Sequence, residues 1–148
     1  MRFPLKLNLS MTSYLAKMGL QKRERFPLVL MLEPLHKCNL ACQGCGRIRE
    51  YGDCMDEMLS TEECLASSRA CGAPVVSVSG GEPLLQAGAI PLMRELCDAG
   101  RTVLLETSGE RDISRVDPRV HRIMDLKAPG SGESERNRWD NIEHLTQR

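Results

Sequence analysis

Aromatic side chains are scarce in this 148-residue chain, where Phe, Trp and Tyr together make up 3% of the residues. A surface that stacks nucleic-acid bases needs several of them, so such a surface is not expected. The 20 Lys and Arg residues balance 20 Asp and Glu residues, which leaves a formal net charge of zero. Strong attraction to a phosphate backbone is therefore not expected either, and we predict no nucleic-acid partner.

Long apolar runs are also missing. The longest spans only Leu28–Leu32, whereas a helix needs roughly 20 apolar residues to cross a bilayer. The N-terminus carries basic residues but no continuous apolar stretch of the kind found in secretory signals. We therefore expect a cytoplasmic protein.

Cysteine, in contrast, is abundant, with seven residues in the chain. An odd number without a secretory signal is typical of reduced thiols. Cys38, Cys42 and Cys45 have the spacing Cys-x3-Cys-x2-Cys, and three thiolates on one loop can hold three corners of an iron–sulfur cube. Two alternatives stay open at this point, a zinc site with His36 as the fourth ligand and three ordinary buried thiols. The other four cysteines are expected to bind no metal.

The apolar pattern predicts strand, helix, strand, helix, strand, connection, strand and helix, preceded by one amphipathic helix. The predicted strands cover residues 26–32, 74–78, 102–106 and 122–126, and the predicted helices cover 10–20, 60–71, 89–99 and about 135–144. Ser60 and Glu63 have the spacing of a capping box at the start of one helix. Residues 33–59 are predicted to be irregular. Strands that are apolar throughout and alternate with helices favour a parallel α/β sheet with right-handed crossovers.

Reactive residue types follow each predicted strand. The cysteine loop follows the first strand, Gly80-Gly81-Glu82-Pro83 the second, Glu106-Thr107-Ser108 the third and Asp125-Leu126-Lys127 the fourth. Because function in parallel sheets gathers at the carboxyl ends of the strands, we expect these segments to form one site. Two of these residues have an alternative interpretation. Glu106 can instead be a solvated carboxylate, and Lys127 can instead be a structural ion-pair partner.

The cysteine loop and the glycine pair, in this order, resemble the two motifs of the radical S-adenosylmethionine (radical SAM) superfamily. This resemblance implies a partial parallel (βα) barrel of about four strands, a [4Fe–4S] cluster on Cys38, Cys42 and Cys45, and S-adenosylmethionine (SAM) on the open iron. It also implies that the backbone of Gly80, Gly81 and Glu82 holds SAM. One electron, from a donor such as flavodoxin or ferredoxin, would cleave SAM to a 5′-deoxyadenosyl radical.

Residues 1–85 resemble the adenosylhopene transferases of hopanoid biosynthesis. The segments that carry this likeness include 25–35 (RFPLVLMLEPL), 38–42 (CNLAC), 59–66 (LSTEECLA) and 71–76 (CGAPVV). The likeness implies adenosyl transfer to a hopene lipid, which is our first hypothesis for the function. It also fits peripheral contact of the basic segment 1–25 with the inner membrane. The alternative for the helix in this segment is packing across the open end of the barrel.

Residues 80–148 instead resemble the 7-carboxy-7-deazaguanine synthases of queuosine biosynthesis, which contract a pterin ring. The segments that carry this likeness include 96–100 (LCDAG), 105–109 (LETSG), 123–127 (IMDLK) and 129–137 (PGSGESERN). It implies that Gly81, Asp125, Leu126 and Lys127 contact SAM and that Ser79 contacts the substrate. The Thr that helps these synthases bind Mg²⁺ after the last cluster cysteine is not evident, since Gly46, Arg47 and Ile48 follow Cys45.

We expect two parts in the chain, a basic amphipathic segment 1–25 and a partial radical SAM barrel domain 26–148. The two likenesses meet near residues 80–88, where a recombination junction is expected. Four strands cannot close a barrel, so we expect an incomplete barrel with an exposed strand edge. Such an edge predicts marginal stability and self-association. A metal-binding fragment without catalysis is the third hypothesis.

Overall fold

A computed structural model describes residues 5–145 and contains a four-stranded sheet with the strand order β1-β2-β3-β4. All neighbouring strands are parallel. The strands are Val29–Leu35 (β1), Val75–Gly80 (β2), Thr102–Thr107 (β3) and His121–Met124 (β4), and the α-helices are Leu5–Leu20 (α1), Gly46–Tyr51 (α2), Thr61–Cys71 (α3) and Ala89–Asp98 (α4). The α/β class and the parallel sheet are therefore confirmed.

Strand β1 begins three residues later than predicted, because the preceding residues contact α1 instead of the sheet. The ring of Phe26 meets that of Tyr14 edge-on at 5.9 Å, and the Tyr14 hydroxyl donates to the carbonyl of Pro27 at 2.8 Å. Pairing with β2 then begins at Val29. Helix α1 begins at Leu5, so Ser10 lies inside it and does not cap it.

Helix α3 has the predicted boundaries. The Ser60 hydroxyl accepts from the backbone N–H of Glu63 at 3.2 Å, and the Glu63 carboxylate accepts from the backbone N–H of Ser60 at 2.8 Å. The bond from the Ser60 backbone N–H and a second one from the Ser60 hydroxyl, at 2.8 Å, lower the pKa of the Glu63 carboxyl. Gly72 ends the helix in the left-handed conformation, with φ of 69°.

The two faces of the sheet differ in burial. On one face, which we call the covered face, Leu32, Val76, Val78, Val103 and Leu105 are buried in a cluster with residues of α3 and α4. Alternate residues point the other way. On this second face, the open face, Met31 and Ile123 are about half exposed and Ser77 and Glu106 are polar.

Two predictions of secondary structure are wrong. Residues 46–51 form a helix inside the segment that was predicted to be irregular, and the predicted last helix is replaced by short 3₁₀ turns at Ser134–Arg136 and Trp139–His144. A packed α-helix would bury Trp139 and Ile142, yet both are exposed. The segment is anchored by the buried Asn141 side chain, which donates to the carbonyls of Gly109 and Arg111.

Helix α1 keeps one side on the body of the protein through Tyr14 and the buried Met18, while Leu5, Leu9 and Leu20 are exposed. Arg2, which contributes to the predicted basic segment, lies outside the described residues, as do residues 146–148. Membrane contact of this segment stays a prediction. In the range 5–145, no helix is long and apolar enough to span a bilayer.

Candidate functional site

The carboxyl ends of the strands open onto one cavity of about 300 Å³. Its wall contains all three motif cysteines and residues that follow each of the other strands. The lining residues are Cys38, Leu40, Cys42, Cys45, Arg47, Ser79, Gly80, Gly81, Glu106, Thr107, Ser108, Ile123, Asp125 and Lys127. The segments expected to converge at this edge of the sheet therefore do so.

Three thiols line this cavity together. Cys38, Cys42 and Cys45 are free and partly buried. Burial raises the pKa of the Cys38 thiol, the backbone N–H of Leu40 opposes this shift, and the negative charges of Glu82 and the other two thiols add to it. A set of three sulfur donors fits a thiophilic metal centre that keeps one position open.

The loop that carries the cysteines is held from outside by the C-terminal segment. The backbone N–H of Ala41 donates to the Glu133 carboxylate at 2.7 Å, and that of Gln43 donates to the carbonyl of Ser131 at 2.8 Å. These two bonds fix the backbone on either side of Cys42. Sequence analysis used residues 129–137 only for a family likeness, and it missed this role.

A second contact joins the same loop to the end of β3. The Asn39 side chain donates to the Glu110 carboxylate at 2.6 Å, and Arg136 donates to its other oxygen at 2.8 Å. Burial alone would raise the pKa of Glu110, but the bonds from Arg136 and Asn39 lower it overall. Glu110 therefore stays charged and links the cysteine loop to the turn at Ser134–Arg136.

The glycine pair lies beneath the cysteine loop and also lines the cavity. Gly80 has φ of 122°, and a Cβ there would lie 2.7 Å from the carbonyl oxygen of Leu35. A Cβ on Gly81 would overlap the carbonyl oxygens of His36 and Lys37. A Cβ at either position would therefore meet the backbone that leads into Cys38. Contact of the glycine backbone with SAM stays a prediction.

Glu82 and Leu126 are not among the cavity-lining residues. The Glu82 carboxylate is fully buried and accepts from the hydroxyls of Thr107 and Ser108 at 2.8 and 2.6 Å, so it joins the ends of β2 and β3. The Leu126 side chain is exposed. Sequence alone could not show which way these two side chains point. The predicted contacts of Leu126 and of the Glu82 backbone with SAM stay predictions.

Lys127 and Asp125 line the cavity as an ion pair, with Lys127 Nζ 2.9 Å from Asp125 Oδ2. Burial alone would lower the pKa of Lys127, but Asp125 and the thiols of Cys42 and Cys38 raise it overall. The Asn137 side chain accepts from the backbone N–H of Lys127 at 2.8 Å and donates to its carbonyl at 2.9 Å. Asn137 thus positions Lys127, a role that sequence analysis did not assign.

Ser79 supplies a polar atom without a partner. Its hydroxyl is buried, lines the cavity and makes no hydrogen bond with the described residues. Buried hydroxyls are nearly always satisfied, so this atom points to a bound group in the cavity. Nearby, Glu106 accepts from the Ser77 hydroxyl at 2.6 Å and remains exposed. The thiols, the unpaired hydroxyl and the charged groups together fit a cluster with a zwitterionic ligand beside it.

His36, the alternative fourth zinc ligand, does not line this cavity. Its ring stacks on Tyr51 at 4.8 Å, and its Nδ1 accepts from Arg47 at 2.9 Å. The arrangement of a zinc ion on three cysteines and His36 is therefore not supported.

Comparison with known proteins agrees with this geometry. A family model described as the radical SAM superfamily matches residues 32–129. The 7-carboxy-7-deazaguanine synthase of Chlorobaculum tepidum is 44% identical over 100 residues, which cover 68% of this chain and 44% of that protein. The synthase of Koribacter versatilis is 39% identical over 114 residues, which cover 76% and 50%. The chain thus spans about half the length of these relatives.

Solved structures show the same fold. Streptococcus suis SuiB bound to S-adenosylmethionine matches with a TM-score of 0.53 and 16% identity, over 84% of this chain and 29% of that one. SuiB bound to the precursor peptide SuiA matches with a TM-score of 0.59 and 17% identity, over 93% and 33%. The family match covers the cysteine loop, the glycine turn and all of β2, β3 and β4. The chain belongs to the radical SAM superfamily, which implies a [4Fe–4S] cluster and SAM.

Proposed function

We propose that this chain carries the cluster and SAM site of a 7-carboxy-7-deazaguanine synthase-type enzyme. The observation that carries the proposal is the single cavity in which Cys38, Cys42 and Cys45 meet the glycine turn and the end of β4. When bound, the cluster and SAM supply a 5′-deoxyadenosyl radical by one-electron reduction.

The residues of the cavity divide the binding work. The three cysteines hold the cluster, and the bonds from Glu133 and Ser131 keep the backbone around Cys42 in place. Lys127 offers a cation to the carboxylate of SAM, and Asp125 offers an acceptor to its amino group. Ser79 has an unsatisfied hydroxyl for a substrate.

The synthase reaction is favoured over adenosyl transfer to a hopene. Both relatives described above are 7-carboxy-7-deazaguanine synthases, and a match over 100 residues must extend upstream of residue 80 because the chain ends at residue 148. The likeness therefore reaches into the part of the chain that resembles the transferases. A small pterin substrate also suits a cavity of about 300 Å³ better than a hopene lipid does.

Arg47 lines the cavity two residues after Cys45, and none of the residues 46–48 is the Thr that the synthases usually have soon after the last cluster cysteine to help bind Mg²⁺. Its guanidinium is paired with Glu33 at 3.1 Å. We therefore expect that added Mg²⁺ is not held by the usual ligand here. The chain is proposed to work in the cytoplasm with a flavodoxin or ferredoxin as its electron donor.

The test is anaerobic reconstitution of the full chain, followed by reduction in the presence of SAM and mass-spectrometric detection of 5′-deoxyadenosine. We expect SAM cleavage by the wild type, none by Cys42→Ala, and wild-type cleavage by Cys71→Ala. The pterin substrate of the synthases should yield 7-carboxy-7-deazaguanine. Cleavage with adenosylhopene as the product would overturn the synthase proposal, and no cleavage would overturn the cofactor proposal as well.

A further inference from the structure

A second group of metal-ligating side chains lies outside the cavity that the cysteine loop lines. One ligand atom each from His36, Cys54 and Glu57 lies within 4.8 Å of the others. His36 follows the end of β1, whereas Cys54 ends the 3₁₀ turn Gly52–Cys54 and Glu57 follows it. None of the three lines the cavity described above.

We propose that His36, Cys54 and Glu57 bind one zinc ion, separately from the iron–sulfur cluster. An imidazole nitrogen, a thiolate and a carboxylate are the three donor types that zinc takes in proteins. With bond lengths of about 2.0–2.3 Å, tetrahedral zinc places its ligand atoms about 3.3–3.8 Å apart. The observed spacing therefore has to contract by roughly 1 Å, and a water molecule would complete the four ligands.

Two charged side chains, Arg47 and Glu33, lie beside the Nδ1 atom of the His36 ring. At present Nδ1 accepts from Arg47, so the proton of the neutral ring is on Nε2. Zinc bound at Nε2 requires the proton to move to Nδ1, where it would face the Arg47 donor. The Glu33 carboxylate lies 3.9 Å from Nδ1, so it has to approach by about 1 Å, and Arg47 has to move away, before it accepts that proton's hydrogen bond. A carboxylate behind a ligating histidine is the usual support of a zinc site.

The segment that carries Cys54 and Glu57 is otherwise held by few long-range bonds. Lys37 pairs with Asp56 at 2.7 Å, but both side chains are exposed, so this pair adds little stability. The backbone N–H of Leu59 donates to the carbonyl of Pro34 at 2.9 Å. A zinc ion on His36 would therefore fasten residues 54–57 to the end of β1, next to the start of the cysteine loop.

The test uses the full chain with its cluster reconstituted, so that iron occupies the thiols of the cysteine loop. Zinc chloride is added, unbound metal is removed by gel filtration, and zinc and iron per chain are measured by mass spectrometry. We expect one zinc per chain with unchanged iron. The dissociation constant for zinc should rise at least about tenfold in Cys54→Ser and in Glu57→Gln, because even the loss of a ligand's supporting partner costs 10–100-fold.

Cys71→Ser is the matched control, because Cys71 is also partly buried and lies outside both groups. It should bind zinc like the wild type. Glu57 is exposed, so Glu57→Gln keeps the test valid if Cys54→Ser fails to fold. Equal zinc affinity in the wild type and in Glu57→Gln, or zinc gained with an equal loss of iron, would overturn the proposal. If no iron is bound, the proposed function fails, but zinc that depends on Cys54 and Glu57 would still support this site.

Discussion

The covered face and the open face of the same sheet have different compositions and different roles. On the covered face, Val76, Val78, Val103 and Leu105 are almost completely removed from solvent. On the open face, the neighbours of these residues include the exposed Met31 and the polar pair Ser77 and Glu106. Burial on one face stabilises the fold, and the other face leads to the cavity at the strand ends.

This difference shows how a short parallel sheet can position reactive groups without burying them. The end of β1 leads into the cysteine loop, the end of β2 into the glycine turn and the end of β4 into Lys127. Hydrogen bonds then fix each of these segments to a neighbour. Substitutions at the cavity should therefore change metal and ligand binding, whereas substitutions on the covered face should change the free energy of unfolding.

The largest expected effect is at the cluster ligands. Each of Cys38→Ala, Cys42→Ala and Cys45→Ala should lose most of the iron that the reconstituted chain binds, because a thiolate ligand is removed. Cys64→Ala, on the buried side of α3, and Cys71→Ala should keep their iron. Iron per chain and the visible absorption spectrum measure the loss of the cluster. Full iron in any of the three motif variants would contradict the assignment of these cysteines as its ligands.

Gly81→Ala should lower iron content and SAM binding together. The new Cβ overlaps the carbonyl oxygens of His36 and Lys37, so it displaces the backbone immediately before Cys38. Gly52→Ala is the control, since a Cβ there meets nothing within 4 Å and φ is −53°. Iron analysis and equilibrium dialysis of SAM give the two values. A Gly81→Ala chain with full iron and weak SAM binding would instead show that the glycine faces the ligand.

The faces can be compared directly by a pair of truncations. Leu105→Ala on the covered face should lower the free energy of unfolding by about 2–5 kcal/mol, because it opens a cavity in a packed core. Met31→Ala on the open face should change it by only about 0.5 kcal/mol, since 56% of this side chain is already exposed. Urea unfolding followed by circular dichroism measures both, and equal losses would show that the open face is packed in solution.

Much of the fold could be predicted because local signals and burial agree. The capping box at Ser60 fixes the start of α3, and the apolar runs fix the strands to within a few residues. Convergence of the three cysteines with the glycine turn and Lys127 follows from parallel strand order alone.

The remaining features depend on contacts between distant residues, which no local pattern shows. The direction of Glu82, the bonds of Asn137 to Lys127 and that of Glu133 to Ala41 are of this kind. The predicted last helix failed because the polar Asn141 is the buried anchor of that segment, whereas the apolar spacing indicated Trp139 and Ile142.

The smallest expected effect is an electrostatic one beside β4. Hydrogen bonds from the Arg119 side chain and backbone lower the pKa of Asp117 from 3.8 to about 2. Because the folded pKa lies below the unfolded one, this stabilisation is present above pH 4 and is lost as the pH falls toward 2. Asp117→Asn should therefore reduce stability slightly at pH 6 and less at pH 3.

Urea unfolding of the chain before reconstitution, at both pH values, measures this effect. Asp140→Asn, on an exposed turn, is the control. A loss in Asp117→Asn that is as large at pH 3 as at pH 6 would contradict the assignment.

The most direct test of the central claim is electron paramagnetic resonance of the reduced, reconstituted full chain with and without SAM. If the three cysteines leave one iron open to SAM in the shared cavity, the wild type should give the spectrum of a reduced [4Fe–4S] cluster that changes when SAM is added. Cys71→Ala should behave in the same way, and Cys42→Ala should give little cluster signal. A cluster spectrum that SAM leaves unchanged would contradict the account.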